Sequence, residues 1–302
     1  MAHDHHTHSH APSSMNTAFA IAVLVNFIFA SLQLGYAFYA NSVSLMADAV
    51  HNLGDVLGLG LAWGAAFLST RKPDLNKYSY GYKKTSILSA VLNAFLLMAS
   101  SLFIIGLAID KLFHLTAINT PIVIILASAG IVVNGGTALL FMKEAHHDLN
   151  IKGAFLHLLS DALISLGVVI AASIIHFTNT LWLDPLLSLL IVSIILKSAW
   201  SLLTDSMRLI IDAVPRHIDH TAVEQFLLTQ PNVTSVHDIH IWGLSTKEVA
   251  LTAHLVGPNH LFSDAEYHRI NTALKSQFNI DHATLQIEYR HDGYPCHQGE
   301  TC

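Results

Sequence analysis

The stretch VHNLGDVLGLG, Val50 to Gly60, sets an imidazole and a carboxylate, His51 and Asp55, in an otherwise apolar run. About a hundred residues later LHLLSDALISLG, Leu156 to Gly167, repeats it with His157 and Asp161; both copies read H-x-L-x-D-x-L. What such a pair means depends on its surroundings. The chain of 302 residues is 52% hydrophobic and only 12% charged, against roughly 25% charged in an ordinary soluble domain, and its mean hydropathy is +0.49. A hydrocarbon core about 30 Å thick needs ~20 apolar residues per helix. Six stretches of that length stand out, at about 15–39, 43–68, 85–113, 121–142, 152–177 and 183–203.

Orientation follows from lysine and arginine. The loop after the second span holds Arg71, Lys72, Lys77, Lys83 and Lys84, and the loop after the fourth holds Lys143 and Lys152, whereas the opposite loops hold only Lys111. Both termini are therefore expected in the cytoplasm, in a multi-pass protein of the inner membrane. The opening MAHDHHTHSHAPSS lacks the basic start and cleavage site of a signal peptide, so the first helix is expected to be retained.

From about Asp205 charges return and apolar runs shorten. The pattern reads helix at about 219–229, strands at 233–242 and 247–256, helix at 263–278 and strand at 283–289, with Ser263 and Glu266 spaced as a capping box. This αββαβ order predicts an α+β domain with helices on one face of a sheet. The expected division is a His-rich tail (1–14), a six-helix transmembrane domain (15–204), a cytoplasmic metal-binding domain (205–290) and a His/Cys-containing tail (291–302). Cys296 and Cys302 read as thiols or soft ligands rather than a disulfide in this compartment. A net charge of -6 argues against nucleic acid as a partner.

On a helix, residues i and i+4 share a face, so each H-x-x-x-D presents one imidazole and one carboxylate together. Ionisable groups at membrane depth are costly and face a bundle interior or a water-filled cavity; if the second and fifth helices face each other, four ligands converge. Two imidazoles and two carboxylates suit tetrahedral Zn²⁺, with bonds of about 2.0–2.2 Å, and the carboxylates cancel the ion's charge in a low dielectric. One copy alone could be a hydrogen-bonded pair joining helices; two copies with matching flanks favour a metal or proton site. Asp48, one turn before His51, reads as a supporting carboxylate that packs helices or holds an imidazole. Asn26, Gln33, Asn93 and Asn134 read as interhelical hydrogen bonds.

NSVSLMADAVHNLGDVLGL, YSYGYKKTSILSAVLNA, GAFLHLLSDALISLGVVI, LWLDPLLSLLI and VHDIHIWGLSTKEVALTAHL, in this order, resemble the cation diffusion facilitators, the zinc-transporter family, from about Asn16 to Glu288. The resemblance implies a homodimer of six-helix protomers in the lipid bilayer, each with a cytoplasmic ferredoxin-like domain, exporting divalent metal, Zn²⁺ first, in exchange for H⁺. It places the transport site on His51, Asp55, His157 and Asp161, additional zinc in the cytoplasmic domain on His237, His254 and His282, and a dimer-stabilising charge pair on Lys84 and Asp212. Glu288 and the tail residues His291, Cys296, His297 and Cys302 are further candidate ligands. The N-terminal HDHHTHSH is similar to the family's His-rich tails and reads as a flexible collector of metal.

Imidazole favours Zn, Cu or Ni over the metals of all-carboxylate sites, leaving Cd²⁺, Co²⁺, Ni²⁺ and Fe²⁺ as alternative cargoes. A membrane metalloenzyme is a rival reading, but four protein ligands would fill the shell and no H-E-x-x-H motif occurs. A metal sensor is another; a plain membrane anchor, however, has no need of ionisable pairs on two helices.

Overall fold

In the computed structural model, residues 13–74, 76–142, 149–258 and 262–289 are described. Six long helices come first: α1 Ser13–Ala40, α2 Val43–Ser69, α3 Thr85–Phe113, α4 Thr120–Phe141, α5 Leu149–Thr178 and α6 Leu183–Ile210. They are followed by α7 His220–Leu228, β1 Ser235–Gly243, β2 Val249–Gly257, α8 Asp264–Phe278 and β3 His282–Tyr289. The αββαβ order is the expected one. Helix α6 runs seven residues past the predicted end, because the backbone ladder continues once the side chains turn polar at Asp205 and Arg208.

Among the described residues, α1, α3, α4, α5 and α6 are long and apolar enough to cross a membrane. Helix α2 has the length, 27 residues, but Asp48, His51, Asn52 and Asp55 dilute its hydropathy below theirs. The chain divides into two compact units, Met1–Gly60 with Asn93–Trp200, and Leu61–Leu92 with Ser201–Cys302.

In the first unit, Leu45, Ile104, Val123, Val168 and Val192 form the core. Alanines such as Ala30, Ala37, Ala47, Ala127 and Ala172 are buried at helix contacts, as close approach of helix backbones requires. Outward-facing Phe95, Phe103, Val132 and Phe177 are exposed, which suits lipid. The turn between α1 and α2 is made at Asn41, whose φ of 55° is left-handed; asparagine tolerates that region, and the geometry returns the chain at once.

In the second unit, β2 pairs antiparallel with β1 and parallel with β3. The parallel pairing needs a crossover, which α8 supplies. Helix α8 begins with the predicted capping box, Ser263 accepting from the Glu266 amide and Glu266 accepting from the Ser263 amide. Val223 and Leu227 of α7, Ile270 and Leu274 of α8, and Leu251, Ala253, Leu255 and Leu285 of the sheet form one core. The helices thus cover one sheet face and leave the other to polar side chains.

Candidate metal centres

Helices α2 and α5 pair antiparallel at the duplicated motif, in three rungs. Ser165 Oγ donates to Asp48 Oδ2 at 3.0 Å, His51 Nε2 lies 3.3 Å from Asp161 Oδ1, and His157 Nε2 lies 3.2 Å from Asp55 Oδ2. Within each helix the i,i+4 partners also meet: His51 Nδ1 is 3.4 Å from Asp55 Oδ2, and His157 Nε2 is 3.7 Å from Asp161 Oδ2. A tetrahedral ion with bonds of about 2.0–2.2 Å separates its ligand atoms by roughly 3.3–3.6 Å, so the spacing fits a metal. His51, Asp55 and Asp161 offer ligand atoms all within 4.8 Å of one another. His157 approaches the two carboxylates without joining that set. His51 Nδ1, Asp55 Oδ2 and Asp161 Oδ1 are buried yet make no hydrogen bond; buried polar atoms are normally satisfied, and donors left bare in this way fit a cation.

Access to the four side chains is graded along the helices. Their exposures are 49% for His157, 23% for Asp55, 14% for His51 and 4% for Asp161, and Asp48, one turn further, is at 0%. The site is therefore open toward the end where α2 finishes and α5 starts, and closed on the other side.

Asp48 holds no imidazole. Gln33 Nε2 of α1 donates to its Oδ2 at 2.7 Å alongside Ser165, and Asn52 Nδ2 donates to its backbone oxygen at 3.0 Å. Asn134 Nδ2 of α4 then donates to Asn52 Oδ1 at 3.2 Å. Gln33 and Asn134 thus act as the predicted interhelical bonds. Ser165 was not foreseen, although its position four residues after Asp161 puts it on the same face.

The sequence pattern also gave no sign of a buried cluster beyond this layer. Asp184 of α6 accepts from the hydroxyls of Ser42 and Ser44 at 2.6 Å each and from the Val43 amide at 2.8 Å. Lys111 of α3 lies 3.2 Å from it and also donates to the Asn41 carbonyl oxygen. A carboxylate from another helix therefore caps the N-terminus of α2, where its charge meets the positive end of the helix dipole.

On the open sheet face, His237 and His254 are directly opposed on β1 and β2, their rings 4.9 Å apart. Glu288 of β3 bridges them, with Oε2 3.1 Å from His237 Nε2 and Oε1 2.9 Å from His254 Nδ1; ligand atoms of all three lie within 4.8 Å. Asp238 joins them through an irregularity. Strict alternation would point it to the opposite face, but the register slips by one residue between His237 and His240, and Asp238 takes a left-handed φ of 51°. This β-bulge turns its carboxylate to 3.3 Å from His254 Nε2 and 2.8 Å from His240 Nε2. The hydrogen bond with His240 holds the Asp238 carboxyl below the usual carboxylate range.

His282 lies at the far end of β3, its ring 6.0 Å from that of Tyr80, and the structure does not bring it to this cluster. His291, Cys296, His297, Cys302 and the N-terminal histidines lie outside the described residues. Lys84 Nζ and Asp212 Oδ1 are brought together at 2.8 Å. The neighbouring Lys83 pairs with Glu248, and the Thr246 amide donates to Ser86 Oγ at 3.2 Å, so the β1–β2 turn is tied to the start of α3.

Long apolar helices with a His/Asp cluster between two of them, together with an α+β domain that gathers a second His/Glu set, define a membrane protein that handles metal cations. The family described as "Cation efflux transmembrane domain" matches residues 19–211, and "Cation efflux protein, cytoplasmic domain" matches residues 215–290. The chain belongs to the cation diffusion facilitator family, whose members are transporters rather than enzymes. It is similar to the zinc transporter ZitB of Escherichia coli, 34% identical over 100% of this chain and 96% of that protein. It is also similar to the metal cation efflux system protein CzcD of Cupriavidus metallidurans, 31% identical over 98% and 92%. A cadmium, cobalt and zinc/H(+)-K(+) antiporter of Bacillus velezensis is 31% identical over 98% and 96%. Among solved structures, a metal-bound C-terminal domain of the CzcD transporter is 35% identical over 24% of this chain and 99% of that one, with a TM-score of 0.22.

Proposed function

We propose that the protein exports Zn²⁺ from the cytoplasm across the inner membrane in exchange for protons, as a homodimer, with His51, Asp55, His157 and Asp161 as the transport ligands. The observation that carries this reading is the meeting of the two motifs: ligand atoms at tetrahedral spacing, those of His51, Asp55 and Asp161 buried with no hydrogen bond to occupy them. The names of the ZitB and antiporter relatives support zinc as cargo and protons as counter-ion.

Coupling follows from chemistry at shared atoms. Imidazole binds metal only when neutral and carboxylate only when ionised, so Zn²⁺ and protons compete for the same side chains. Zn²⁺ loads while the site is open on the side of the basic loops, the cytoplasmic side by charge distribution. Protonation on the other side expels it, and the protonated site returns. His237, His254 and Glu288, with Asp238 turned toward them, are the proposed cytoplasmic metal ligands. Lys84 and Asp212 are the proposed interlock of the dimer, for which the ZT_dimer name of the matched cytoplasmic family is the support.

Purified protein in proteoliposomes, with internal zinc and internal pH followed together, tests the reading. Zinc entry is expected to drive proton exit, and Asp55→Ala or Asp161→Ala is expected to abolish both, by at least ~100-fold, since removing a ligand exposes an unpaired buried remainder. Zinc entry without proton movement, or exchange retained in both variants, would refute it.

A further inference from the structure

We infer that Asp48 with Gln33 and Ser165 is the gate that closes the transport site on its far side, and that these bonds break each time the site opens there. The inference rests on the transport site proposed above and adds a residue layer that is not part of the ligand set.

Three observations locate the gate. Asp48 and Ser165 form the rung immediately beyond His51 and Asp161, where exposure has fallen to zero. The layer joins four helices across the α2–α5 seam: α1 through Gln33, α2 through Asp48 and Asn52, α4 through Asn134, α5 through Ser165. It is also tightly closed, since a Cβ on Gly130 of α4 would come within 2.9 Å of Ser165 Oγ and 3.4 Å of the Phe29 ring. An ion leaving by this side must part α2 from α5 at this rung.

Bond strength separates a gate from glue. The layer consists of single hydrogen bonds from neutral donors, two of them, from Gln33 and Ser165, to the Asp48 carboxylate, and each is worth only a few-fold in an equilibrium between membrane helices. One acceptor in it, Gln33 Oε1, is buried without a hydrogen bond, so the closed arrangement is not fully satisfied. The Asp184 cluster one layer further out has the opposite character, with an ammonium, two hydroxyls and backbone amides on one carboxylate. Of the two polar layers, the Asp48 layer is the one that spans α2 and α5 and can open in every cycle, whereas the Asp184 cluster ties α2 to α3 and α6 and leaves the α2–α5 seam uncrossed.

The test uses full-length protein with Cys296 and Cys302 replaced by serine and a reporter cysteine at Ala162, which is buried on the site's side of Ser165. Gln33→Ala and Ser165→Ala each remove one bond to Asp48 while keeping its carboxylate, so the folded bundle is retained; Asp48→Asn is the third variant. Labelling by a membrane-impermeant maleimide applied from the extracytoplasmic side is expected to rise about five-fold in Gln33→Ala and Ser165→Ala. Zinc affinity in detergent is expected to stay within about three-fold of the parent, because neither residue touches a ligand atom. Unchanged labelling in all three variants, or a loss of zinc affinity without any change in labelling, would overturn the gate. A failed coupling measurement on the unsubstituted protein would instead strike the transport reading, so the two failures are distinct.

Discussion

At the scale of single residues, the selectivity of the proposed transport site is expected to turn on nitrogen. His51 contributes an imidazole where a carboxylate would make the site oxygen-rich, and oxygen donors suit Mn²⁺ while imidazole suits Zn²⁺. His51→Asp is therefore expected to raise manganese uptake relative to zinc by at least ~10-fold in proteoliposomes offered each ion separately; an unchanged ratio would place selectivity elsewhere. The candidate ligands could be singled out because two H-x-L-x-D-x-L copies with matching flanks in apolar helices favour a metal or proton site, and the structure brings His51, Asp55 and Asp161 together. Asp238 was not, because its role depends on a left-handed φ of 51° that alternation along a strand does not encode. Asp184 was equally hidden. Its partners Ser42, Lys111 and the Val43 amide come from three separate parts of the chain, and nothing local in sequence announces that they meet.

At the scale of elements, α8 shows how a local signal becomes a pH-sensitive joint. Two hydrogen bonds from Ser263, through its amide and its hydroxyl, hold the Glu266 carboxyl below the usual range, and Asn232 adds a third at 3.0 Å. A carboxyl depressed by folding stabilises the folded state above its unfolded pKa, ordinarily about 4.5, and that stabilisation is lost as pH falls through the lower folded value. The protection factor of the amides in the first turn of α8, that is, exchange relative to the intrinsic rate at each pH, is thus expected to fall on acidification from pH 5 toward pH 3 in the full-length protein. Glu266→Gln should exchange faster at neutral pH and lose this pH dependence. The capping box was readable from Ser263 and Glu266 alone, and so was the αββαβ order, because charges return and apolar runs shorten from about Asp205. The parallel partner of β2 and the face on which His254 lies required the sheet.

At the scale of the molecule, six spans and a C-terminal α+β domain could be read from hydropathy and charge, since a bilayer leaves few alternatives to long apolar helices. The buried Lys111–Asp184 pair is what the composition could not show, and it ties the entry turn of α2 to α3 and α6. Removing only the cation leaves a carboxylate buried without its partner, at a cost of roughly 3–5 kcal/mol. Lys111→Ala is accordingly expected to lower the thermal unfolding temperature in detergent, and Lys111→Ala with Asp184→Asn to recover part of the loss. A double variant no more stable than Lys111→Ala would exclude charge as the cause.

The dilution of α2 by its own polar residues bears on how the protein is made. Aspartate at the centre of a membrane helix costs about 2.5–3.5 kcal/mol during insertion, and α2 carries two, Asp48 and Asp55, beside His51 and Asn52. Only Asn41 and Ser42 separate it from the strongly apolar α1, and Gln33 of α1 is placed to receive Asp48. The helix that carries the proposed transport ligands is thus the one whose own apolarity supports insertion least, and α1 is expected to escort it during synthesis, the two entering as a hairpin.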